Sequence, residues 1–263
     1  MRSRLITAIL IVLLLPTNTT HANGEVIELA DDLIVTVVQD GVYRITHAFP
    51  WPANSLLVEM TATELVLVDT PYTAEATAIL FDWIDETFDE YHIIAINTGF
   101  HVDNLGGNAY LVERDVPIYG STLTVELLEE RGEASRELML SWLEPDSAFY
   151  AGHRDVDYVP PTITFDINDG LSLEYDEATV EVYYPGPTHS DDNVVVWFPE
   201  RGLMFGGCMI LAGDRVGNAT DADLDAWPVS VARLAQFDIE TLIPGHGDRT
   251  DPGLIDHTIT LLE

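Results

Sequence analysis

The order of elements read along the sequence predicts an α/β fold, a four-layer αββα sandwich of two mixed β-sheets packed face to face with helices outside. Three observations carry this. Short β-rich apolar runs bounded by Asp, Gly and Pro recur through the chain, and segments with apolar residues at helical spacing interleave with them. The order strands, helix, strand, helix also occurs twice, each half about 120 residues long.

The first strands are expected at VIEL (26–29), LIVTVV (33–38), VYRIT (42–46), SLLVEM (55–60) and ELVLVDT (64–70), mostly antiparallel. A helix follows over 73–88, with Ala76, Ile79, Leu80, Trp83, Ile84 and Phe88 near one face. Thr73 can cap it, and Glu75 lies in its first turn. HIIAINT (92–98) is the next strand, and residues 121–143 read as one or two helices. A second strand series is expected at TITF (162–165), LSLEY (171–175), TVEVYY (179–184), NVVVWF (193–198), GLMF (202–205) and ETLI (240–243). Helices over roughly 221–237 and 252–263 interleave or close the chain.

Residues 1–22 carry Arg2 and Arg4, an apolar run from Leu5 to Leu15, then polar residues and the small Ala22. That is the pattern of a cleaved signal peptide, and the run is too short to span a bilayer comfortably. A periplasmic protein free of the membrane after cleavage is expected. The remaining residues 23–263 could form one large domain or two small ones, and no linker divides them. The chain has 45 acidic residues against 11 basic ones, all arginine. Such a surface repels phosphate backbones and anionic lipid, so nucleic-acid and membrane-surface partners are excluded. The single cysteine, Cys208, forbids an internal disulfide, and an unpaired thiol in an oxidising compartment calls for a reason.

Four loops hold candidate chemistry. "NTGFHVDNLGGNAYL" places His101 and Asp103 between a buried strand and a glycine pair, which permits close backbone approach. "YPGPTHSDDN" holds His189 between two strands, "MFGGCMIL" holds Cys208 at a strand end, and "LIPGHGD" pins His246 between glycines. Each is unremarkable alone: a lone cysteine is usually a small buried hydrophobe, and a loop histidine usually a surface group. Together they put imidazole, carboxylate and thiolate groups at strand ends able to converge on one edge. Those donors suit zinc, which would also keep the thiol deprotonated.

These motifs, with "LVLVDTPY" and "VGNATDADLDAWPVSVARL", resemble the metallo-beta-lactamase fold, specifically class B β-lactamases of the first, cysteine-containing subclass. The resemblance implies one domain over 23–263, a zinc-dependent hydrolase, a small-molecule β-lactam substrate and a monomer. It implies one zinc at Asp103, Cys208 and His246. His101 and His189 would belong to a second, weaker site whose third ligand position is occupied here by Gly99, which has no side chain to donate. It further implies catalytic roles for Asp103, His101 and Asn218, a buried supporting carboxylate at Asp69, and a substrate flap over 47–54 presenting Phe49 and Trp51. His47 is a candidate replacement for the lost ligand. The resembling enzymes usually have a lysine at the position of Leu211 to hold the substrate carboxylate, and Arg215 is the nearby candidate substitute. The departures at Gly99 and Leu211 keep two alternatives open: a zinc hydrolase of the same fold acting on another ester, thioester or lactone, and a weakly metallated binding protein.

Overall fold

The computed structural model describes residues 22–263. The signal segment expected over 1–22 lies, apart from Ala22, outside the described residues. Among them, no helix is long and apolar enough to cross a membrane.

Two sheets form the centre. The first begins as an antiparallel meander of β1 (Val26–Ala30), β2 (Leu33–Gln39), β3 (Val42–Ala48), β4 (Pro52–Glu59) and β5 (Glu64–Val68). It continues in parallel through β6 (His92–Ile96), β7 (Ile118–Ser121) and β8 (Ile163–Phe165). The second runs β9 (Leu171–Tyr175), β10 (Ala178–Tyr183), β11 (Val195–Phe198), β12 (Leu203–Gly207) and β13 (Thr241–Pro244), antiparallel except for the last pair. Their inner faces share one core, in which Val42, Leu56 and Val66 of the first sheet join Val180, Val196 and Phe205 of the second.

Helices cover the outer faces. α1 (Ala74–Thr87) is capped by Thr73, whose side chain accepts from the Ala76 amide, and it buries Leu80, Phe81, Trp83 and Ile84 against the first sheet. α6 (Trp227–Ala232) and α7 (Leu254–Leu262) cover the second through Trp227, Val231 and Leu254. The αββα sandwich is therefore present. α4 (Thr122–Ser141) is one helix: Leu123 near its start packs against the shared core, and Leu127 and Leu128 pack with Phe100 and Leu105, beside the loop leaving β6. That places it against the site.

Two expectations are corrected. TITF does not open the second sheet: as β8 it pairs in parallel with β7, so the division is eight strands and five rather than two equal halves. The helix expected from 221 starts only at Trp227, because Pro228 fits a first turn and the Asp-rich residues before it form a loop.

Candidate metal centre

β6, β12 and β13 deliver their carboxyl ends to one edge of the sandwich. Beyond β6 the chain passes Gly99 to His101 and turns at once into the short helix α2 (Val102–Leu105), which carries Asp103. Both glycines after α2 are needed for packing. A Cβ on Gly106 would stand 2.1 Å from the Tyr72 carbonyl oxygen, and one on Gly107 2.0 Å from Thr77 Oγ1.

Asp103, Cys208 and His246 converge, although 105 residues separate the first two. Cys208 Sγ lies 3.2 Å from Asp103 Oδ2 and 3.7 Å from His246 Nε2, and His246 Nε2 lies 3.0 Å from the same carboxylate oxygen. The His246 ring is turned by its other nitrogen: Nδ1 donates to the Pro52 carbonyl at 2.7 Å, leaving Nε2 for the centre. Burial alone would raise the Asp103 carboxyl, but hydrogen bonding and proximity to His246 hold it well below the usual carboxylate range. Burial, with Asp103 adding to it, pushes the Cys208 thiol well up. Two donors that repel as anions are thus held in contact, which a divalent cation would relieve.

The second pair is arranged differently. The rings of His101 and His189 are 5.0 Å apart and nearly perpendicular, with His189 also against Trp227. His101 Nε2 is committed to Asp221, 3.0 Å from Oδ2. Burial opposes protonation of His101, yet that Asp221 bond raises its proton affinity overall. Arg131 of α4 stands 3.8 Å from Asp221 and 3.4 Å from Asp191, tying the helix to both loops.

The family description that matches this chain is the metallo-beta-lactamase superfamily, over residues 48–246. The chain belongs to the metallo-beta-lactamase superfamily. It is 32% identical over 209 residues to a metallo-beta-lactamase type 2 of Pseudomonas aeruginosa, covering 77% of this chain and 71% of that one. With a metallo-beta-lactamase type 2 of Bacteroides fragilis it shares 28% over 242 residues, 88% of this chain and 86% of the relative. The solved metallo-beta-lactamase of Pontibacter korlensis superposes with a TM-score of 0.73 at 29% identity, covering 88% of this chain and 98% of that one.

Superfamily membership implies metal binding, and the two groups of residues differ in how well they fit zinc. Asp103, Cys208 and His246 offer one thiolate, one imidazole and one carboxylate with all three donor atoms within 4.8 Å, a suitable set for zinc with a fourth position open. His101 and His189 do not make a complete site. At Gly99 a Cβ would meet Asn193 Nδ2 at 2.5 Å and Asn104 Oδ1 at 3.1 Å, so the place of a third ligand is filled by amides. Asn193 is held there, its Oδ1 accepting from the Ser190 amide at 2.9 Å. Gly99→His is therefore expected to lower unfolding stability by about 1–3 kcal/mol through overpacking and to add no bound zinc. Thermal melting and metal analysis check this, and two zincs per chain in an equally stable variant would refute it.

Several other expectations meet definite surroundings in this chain. Asn218 lines the pocket before the centre, with Oδ1 accepting from the Thr220 amide and hydroxyl at 3.2 and 2.8 Å. Leu211 and Arg215 also line it, Arg215 with its side chain 89% exposed and only a 3.8 Å approach to Asp214. Trp51 lines the pocket, but Phe49 does not: it turns inward against His47, Phe149 and His153, and its carbonyl meets His153 Nε2 at 2.7 Å. The flap reading is corrected for Phe49, because in this short connection between β3 and β4 the two aromatic side chains go to different sides. His47 is buried with Nδ1 accepting from the Tyr72 amide at 3.1 Å, so it is not the replacement ligand. Sequence reasoning missed Asp221, although the motif containing it was recognised. It also missed Asn54, whose Nδ2 donates to the Pro244 and Gly247 carbonyls at 3.0 and 2.8 Å and so fixes the His246 turn onto the first sheet.

Proposed function

We propose that this chain hydrolyses the amide bond of β-lactams with one zinc held by Asp103, Cys208 and His246. The observation that carries the reading is the convergence of those three donors at the floor of a pocket, in a chain whose relatives are named metallo-beta-lactamase type 2. Zinc held there would supply an acidified water, with a pKa lowered from about 15.7 toward about 7, and would polarise a carbonyl. The protein supplies the rest. With Nε2 bound to Asp221, His101 has Nδ1 left to take the proton of the attacking water and pass it to the lactam nitrogen as the C–N bond breaks. Asn218, its Oδ1 spent on Thr220, has Nδ2 left to donate to the carbonyl oxygen. Arg215 is the cation of the pocket wall that a substrate carboxylate can reach, in place of the lysine that Leu211 displaces. His101 and His189 hold a second zinc weakly at most, since Gly99 brings no donor. The apolar run from Leu5 to Leu15 behind two arginines supports export to the periplasm.

The test is to purify the chain, measure its zinc, and assay a chromogenic cephalosporin beside imipenem before and after chelation. One zinc per chain, with turnover that chelation abolishes and zinc restores, is the expected result. Full zinc with turnover of neither compound would overturn the reading and favour another ester, thioester or lactone.

A further inference from the structure

The pocket before the metal centre encloses about 740 Å³, and its mouth is apolar on a chain with 45 acidic residues. Among the lining residues the one carboxylate is Asp103, already engaged at the floor. The turn between β3 and β4 is only residues 49–51, so a single side chain, Trp51, reaches over the pocket from that side. The adjoining wall comes from the end of α4, through Leu138, Met139 and Trp142 just beyond it. Trp51 and Trp142 meet edge to face, with centroids 6.1 Å apart and planes at 84°. Trp83, Trp197 and Trp227 are buried, whereas Trp51 and Trp142 are 41% and 46% exposed. Two large rings left open to water at the entrance of one cavity, and held by each other, are a surface for a third ring.

We propose that Trp142, with Trp51, forms a subsite for an aromatic substituent of the β-lactam, which makes Trp142 a specificity-determining residue. This rests on the β-lactamase reading. A flat ring laid on the pair removes apolar surface from water on both sides, a gain that a small polar substituent cannot collect. Trp142 is not among the groups gathered at the centre, so its contribution is to binding rather than to chemistry.

The test compares kcat/KM for benzylpenicillin, which carries a phenyl ring, with that for imipenem, which carries a small hydroxyethyl group. In Trp142→Ala the value for benzylpenicillin is expected to fall about tenfold, through KM, while imipenem stays within about twofold. Zinc content and melting temperature should match the parent, and Trp142→Phe should recover most of the loss. Equal losses for the two substrates, or none for either, would overturn the subsite while leaving the β-lactamase reading standing. If the parent protein turns over neither substrate, both fall together.

Discussion

Replacing Cys208 with serine is expected to strip the protein of zinc and of hydrolytic activity together. Cys208 is 5% exposed, and its sulfur touches both other donors. In that position burial and Asp103 strongly oppose a thiolate, so only a bound cation makes ionisation favourable. A serine hydroxyl, far less acidic than a thiol, does not ionise there and offers zinc a hard neutral oxygen instead of a soft anion. Losing partners that merely orient a ligand already lowers metal affinity about 10–100-fold. Loss of a ligand itself should exceed that, with kcat/KM down by at least about a hundredfold and zinc lost on dialysis. The substitution is nearly isosteric, so cooperative unfolding should persist and separate metal loss from misfolding. A serine variant that keeps its zinc and its turnover would remove Cys208 from the centre.

The candidate donor set was legible because Cys208 and His246 follow strand ends beside glycine, and Asp103 lies between β6 and a glycine pair. The missing ligand was legible too, since Gly99 has nothing to coordinate with. What fills that place was not: Asn193 arrives from a loop 94 residues further on, and only the folded chain shows its amide against Gly99. Strand existence was read more securely than strand partnership. β7 is four residues long and was not read at all, and β8 has three, two of them exposed, so neither carries a pattern that says which sheet it joins. α4 was read as helix from its spacing, but a helix pattern does not disclose that its C-terminal end meets Trp51, 91 residues earlier than Trp142, in one pocket. The inward turn of Phe49 and outward turn of Trp51 separate two residues that a shared aromatic composition had made look equivalent.

Asp69→Ala is expected to be the most destabilising of these substitutions, and to weaken zinc binding without touching a ligand. Asp69 follows β5 in the left-handed region at φ 57°, a conformation that Asp tolerates better than Ala. From there its carboxylate accepts from the Thr98 amide at 2.7 Å, the Thr98 hydroxyl at 2.7 Å and Asn104 Nδ2 at 2.9 Å. Burial nevertheless raises its pKa to about 8 against those three donors, which shows how little solvent reaches it. Thr98 and Asn104 bracket His101 and Asp103, so one side chain tacks down both ends of the ligand loop. Alanine would leave buried donors without an acceptor, each costing about 1–3 kcal/mol, besides the strain of a positive φ. A combined loss on the order of 3–5 kcal/mol is expected in urea unfolding of the metal-free protein. Zinc affinity should fall about 10–100-fold because Asp103 is no longer pre-positioned. Asp69→Asn keeps the size and the tolerance for positive φ but gives up one acceptor oxygen, so it should fall between the two. An alanine variant that unfolds with the parent would mean that the loop is held by α2 and the glycine pair alone.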